Sequence, residues 1–146
     1  MAGFKLSSAT DSPMVEEWTV SSLTLAVGDL LELDAGATAA TVADSSTNAF
    51  QRKGVVMKAV TSSETLAKVA IVNPDQIWEA ESANNSNASH NGDRMALTDR
   101  NTVNNSGSDQ TGETAVVIQL KPAGAAAEKR ILVRFFESGG VNPDAS

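Results

Sequence analysis

One histidine, His90, is where any acid–base chemistry in this chain would have to start. A histidine acting as general base needs a nucleophile within hydrogen-bond reach and an acid to orient it. His90 sits in a polar, low-complexity run, SANNSNASHN, over residues 82–91, and no serine occupies a strand–turn–helix elbow. A solvated loop histidine is the expectation. The Asn and Asp residues of 84–93 and 99–109 carry the oxygen donors that calcium uses, but not the ordered spacing that ends in a bidentate Glu. Asn in such runs serves turns, because it tolerates left-handed backbone. Glu79 and Glu81 share one face of a short alternating run, the pattern of a solvated strand face. A glycosidase pair would need a cleft with an aromatic sugar platform, and the chain has two Trp, four Phe and no Tyr. Gly139-Gly140 precedes no helix, so there is no phosphate loop or dinucleotide fingerprint. With no cysteine, thiolate catalysis, disulfides and zinc–thiolate sites are excluded. The residues therefore predict no enzyme, no cofactor and no metal ligand.

Bulk composition bounds the partners. At 146 residues one domain with a real core is expected. Aromatic residues make up 4% of the chain, so Val, Ile, Leu and Ala must build that core. Eleven Lys and Arg stand against 18 Asp and Glu, a formal charge of −7. Phosphate contacts need clustered cations, so nucleic acid is not an expected partner. No apolar stretch approaches the ~20 residues of a membrane span, and no basic region followed by an apolar run opens the chain. A soluble protein is expected.

The periodicity predicts strands. In 55–60, Val55, Met57 and Ala59 alternate with Val56, Lys58 and Val60; in 67–72, Ala67, Val69 and Ile71 alternate with Lys68, Ala70 and Val72. Period two places alternate side chains on opposite faces. Thr61–Thr65 reads as a hairpin loop, Asn73-Pro74-Asp75 as a stop, and 76–81 as a third strand of one meander, with Trp78 and Ala80 inward. Further strands are expected at 23–27, at 30–33 after the Gly28-Asp29 turn, at 94–98, at 113–120 with Val116, Ile118 and Leu120 inward, and at 129–136 with Ile131, Val133 and Phe135 inward. No 3.6-residue apolar period lasts the ~12 residues of a stable helix. The expected fold is all-β, a small sandwich or partly closed barrel of short antiparallel strands. Residues 1–17 read as an extended N-terminal arm, 18–137 as the β domain and 138–146 as a flexible tail. The arm carries Phe4, Leu6, Met14 and Val15 without a period that would bury them in their own domain, so these four are the expected contact residues for a partner.

The order of these features resembles the head-decoration (cement) proteins of tailed bacteriophages. The matching positions are Gly28-Asp29 opening a strand, Gly54-Val55, Ile77-Trp78 ending the run after the hairpin, Gly92-Asp93 as a second turn, and Thr102-Val103. Residues 82–91 have no counterpart in that pattern. The resemblance implies a structural virion protein on the outer surface of the capsid shell, often a homotrimer, that staples neighbouring major capsid protein subunits. A carbohydrate-binding or adhesion β module is the alternative, and clustered exposed Trp or Tyr would favour it. Far-UV circular dichroism should be β-dominated; a helix content above roughly a third, the level of an average globular domain, would overturn the architecture.

Overall fold

The computed structural model describes residues 3–107, 109–125 and 128–136. The expected tail, 138–146, lies outside the described residues. The strands are β1 (Lys5–Ser8), β2 (Val15–Thr19), β3 (Leu30–Leu33), β4 (Thr41–Val42), β5 (Arg52–Val56), β6 (Leu66–Ile71), β7 (Ile77–Ser82), β8 (Arg94–Met95), β9 (Leu97–Asp99), β10 (Thr102–Val103), β11 (Val117–Pro122) and β12 (Arg130–Phe135), with a 3-10 turn at Ala88–His90. The fold is all-β, as its punctuation by Gly, Asn and Pro predicts.

The first sheet runs β8-β11-β12-β7-β10-β9. Its two end strands are separated in sequence by Ala96 alone, so the path returns on itself as a nearly closed barrel. β7 is its axis. Trp78, Ala80 and Ser82 are buried while Ile77, Glu79 and Glu81 are half-buried, the expected phase. β12 lies antiparallel along β7, with Ile131 opposite Ala80 and Val133 opposite Trp78. β1 pairs with β7 at Glu79 and Trp78, and β10 pairs in parallel at Glu81 and Ser82.

The second sheet runs β2-β6-β5-β3-β4. Ala40 N–H donates to Thr19 C=O, which draws its two edges together. One face carries the row Leu31–Gly54–Ile71 and, with Trp18, Val56, Ala67 and Val69, encloses a core of its own. Gly54 is required there: a Cβ would sit 2.9 Å from Val69 Cγ2 and 3.1 Å from Trp18 Cη2. The opposite face carries the row Leu30–Val55–Ala70, which joins Phe4, Trp78, Val116, Ile131, Val133 and Phe135 in the core of the first sheet.

Four expectations are corrected. The meander is broken: β5 and β6 form the expected hairpin, but β7 belongs to the other sheet. The corner is built on buried Gln76, whose Nε2 donates to Ile71 C=O and whose Oε1 accepts from Asn73 N–H and Trp78 Nε1–H. Those bonds replace the ladder contacts that Pro74 cannot make. Residues 23–27 form no strand, only a bridge between Leu25 and Val60. In β11 the phase is reversed: Val117 and Gln119 are buried and Ile118 is half-buried, with a register shift between Gln119 and Lys121.

The fourth correction concerns the arm. β1 and β2 pair within the domain, β1 on β7 and β2 on β6. Phe4 is 4% exposed and its ring lies 5.3 Å from that of Phe135. A lone aromatic beside polar residues shows no period, yet one large side chain suffices to anchor a strand in a core it does not border in sequence. Gly3 and Gly28, both at positive φ, permit the approach, since a Cβ on Gly3 would lie 2.8 Å from Gly28 O. Phe4→Ala should therefore cost about 3–5 kcal/mol in urea unfolding, and removal of residues 1–11 should lower the melting temperature. An unchanged melting temperature would return this segment to the status of a detached arm.

Candidate interaction face and a buried lysine

β6 alternates cleanly. Ala67, Val69 and Ile71 point into the second core, so Leu66, Lys68 and Ala70 face the other way. Only part of that face is covered by the first sheet. Ala70 and Val55 are beneath β1 and β7, whereas Leu66 is 50% exposed, Met57 43%, Val27 51% and Val15, opposite Ala70 in register, 44%. At the boundary lies an apolar groove of about 340 Å³, lined by Leu6, Pro13, Val27, Val55, Met57 and Trp78 among others. Large apolar side chains gathered at one exposed face mark an interaction surface.

The four expected contact residues separate here. Leu6 lines the groove and Val15 continues the row that forms its floor. Met14 is exposed next to Val15, and its carbonyl accepts from Ile71 N–H. Phe4 is buried in the core and borders the groove from within. Val27, Met57 and Leu66 were not legible as contacts. The available signal was Leu66, an apolar residue on the solvent phase of a strand whose other phase is Ala67, Val69 and Ile71.

The polar loops hold structure. His90 Nδ1 lies 3.0 Å from Asp93 Oδ2. Buried Gln119 donates through Nε2 to Asn87 C=O and Asn91 Oδ1, and buried Asn105 accepts from Asn84 N–H and donates to Asn84 C=O. Among the described residues no group of three or more His, Cys, Asp or Glu is placed to hold a metal ion. No helix among them is long and apolar enough to cross a membrane.

The second unusual feature is a buried lysine, Lys53, opposite the buried carboxyl of Glu32. Glu32 and Lys53 face each other across β3 and β5, and both are buried. Lys53 Nζ donates to Gln51 C=O at 2.7 Å; Glu32 accepts from Thr47 Oγ1 at 2.8 Å and from Thr41 Oγ1 at 3.4 Å. The turn at 44–51 is thereby closed over the pair. Burial pushes the Lys53 ammonium down to about 8, against the opposing attraction of Glu32. Burial raises the Glu32 carboxyl, and the Thr47 hydrogen bond partly offsets this.

No protein-family model matches the chain. No curated protein matches it either.

The Lys53 shift has a sign that can be tested. A lysine whose folded pKa lies below its unfolded value makes the folded state release its proton first. Between about 8 and the ordinary value of 10.5 the unfolded chain binds more protons, so stability rises with pH across that window. The gain is at most about 3 kcal/mol, at 1.36 kcal/mol per pH unit. The chain has no Tyr or Cys to titrate in the same range. Urea unfolding between pH 7.5 and 10.5 should show the rise in the wild type and lose it in Lys53→Met. A rise of equal size in the variant would remove Lys53 as its source.

Proposed function

We propose that this chain is a head-decoration protein of a tailed bacteriophage: a structural virion component that binds the outer surface of the capsid shell and stabilises contacts between major capsid subunits, as a homotrimer. The observation that carries this reading is the exposed apolar groove at the edge of the second sheet, lined by Val27 and Met57, with Val15 exposed on the row that forms its floor. A surface of that kind gains free energy when a partner covers it, at roughly 25 cal/mol per Å² of apolar area. The order of turn and strand motifs along the chain supplies the class of partner. A shell loaded from within is held by clamps that bind across its subunit boundaries, because anything bound to the assembled form stabilises it by mass action. Repeated sites on one trimer add avidity.

The adhesion or carbohydrate-binding alternative gains nothing from the side-chain placement. Trp18 and Trp78, the two tryptophans of the chain, are 4% and 2% exposed. Neither can stack on a sugar from solution.

Fluorescently labelled protein mixed with purified expanded heads of the encoding phage should bind to saturable sites, and sedimentation should report a trimer on or off the shell. Met57→Asp combined with Leu66→Asp, both exposed positions, should weaken uptake at least tenfold while leaving the melting temperature close to wild type. Heads that take up no wild-type protein would sink the reading.

A further inference from the structure

Gln119 is fully buried on β11, yet its side chain serves a turn rather than the sheet. Its Nε2 donates to Asn87 C=O at 2.9 Å and to Asn91 Oδ1 at 3.0 Å, and its backbone C=O accepts from Gly92 N–H at 2.8 Å. One residue therefore holds both the side chain of Asn91 and the amide that follows it. Asn91 and Gly92 are themselves exposed, just after the 3-10 turn Ala88–His90.

Those two groups are the two halves of an intramolecular reaction. When the Gly92 amide nitrogen loses its proton it bonds to Asn91 Cγ, the Cγ–Nδ2 bond breaks, and ammonia leaves with the proton. The cyclic imide that results takes up water at one of its two carbonyls. Opening at Cγ gives aspartate. Opening at the main-chain carbonyl gives isoaspartate, in which the backbone runs through Cβ. Glycine on the carboxyl side leaves the attacking nitrogen unhindered, and 91–92 is the one Asn-Gly pair in the chain. Nothing packs where a Gly92 side chain would stand, so its positive φ of 88° is what calls for glycine.

The folded turn withholds the reaction. Asn91 ψ is 126°, which turns the Gly92 nitrogen away from Cβ, whereas ring closure needs both on the same side. The Gly92 N–H is committed to Gln119 C=O, which disfavours loss of its proton. The Asn91 side chain is tethered by Gln119 Nε2. All of these restraints are released together when the turn lifts from β11.

We propose that Asn91 is a self-modification site gated by Gln119, converting to aspartate and isoaspartate only through openings of the turn at 87–93. The two products differ in consequence. Aspartate keeps an oxygen for Gln119 Nε2, so the turn recloses. Isoaspartate adds a methylene to the backbone, the two bonds to Gln119 are not remade together, and the turn stays unlatched. This holds whether or not the chain decorates a shell.

The full chain is incubated at mildly alkaline pH beside a synthetic peptide of residues 88–95, and conversion at Asn91 is followed by mass spectrometry that separates aspartate from isoaspartate. The chain should react roughly tenfold or more slowly than the peptide, and this slowing should match that of hydrogen exchange at the Gly92 amide within about threefold, because both need the same opening. Gln119→Met, which keeps the length and removes the amide, should raise the rate at Asn91 roughly fivefold. Asn91→Asp should leave the melting temperature at its wild-type value. Equal rates in chain and peptide, slowing that disagrees with the exchange measurement, or an unchanged rate in Gln119→Met would each overturn the gate, and a lowered melting temperature in Asn91→Asp would overturn the reclosing. The comparison of chain with peptide needs no substitution and decides the matter should Gln119→Met fold poorly.

Discussion

The constraint that the rest of this structure depends on is that the second sheet is buried on both faces. Leu30 and Leu31 are adjacent on β3 and both are fully buried, each in a different core. A strand alternates its side chains between two faces, so neighbouring apolar residues demand two separate coverings. One is supplied by the sheet's own curl, in which Trp18 reaches Gly54 across β6. The other is supplied by the first sheet, through β7 and β1. The covering ends before the sheet does, and the remainder of that face is the exposed strip at Val15, Met57 and Leu66.

The same constraint explains how buried Glu32 and Lys53 are held. Glu32 and Lys53 occupy the row next to Leu30 and Val55, on the face that the first sheet covers. Two titratable groups taken from water on such a face need polar partners. Thr47 and the Gln51 carbonyl provide them, and the turn at 44–51 is fixed as a consequence. The effect of these hydrogen bonds is to determine where that turn closes.

Buried amides play the corresponding part in the polar segments. Gln76 shapes the corner between β6 and β7, while Gln119 and Asn105 hold the Asn-rich run at 82–91. Each lies under a stretch whose backbone groups lack a sheet partner, and each supplies the hydrogen bonds that buried backbone requires. That is how a low-complexity sequence acquires a defined conformation, and why Gln119 points inward on a strand whose apolar pattern favoured Ile118.

The sequence by itself determined the all-β class, the hairpin of β5 and β6, and the inward phase of β7 and β12. These follow from period-two alternation and from turn residues, which act over a few neighbouring positions. Tertiary structure alone decided that β7 changes sheet, that Gln119 is inward, that Phe4 is core, and that Val27, Met57, Leu66 and Val15 share one open face. Each of these depends on which distant strand lies alongside. Phe4 meets Phe135, and Val15 meets Ala70, at separations no local pattern reaches. Burial is a property of both partners, and a strand carries in its own sequence only its half of that information.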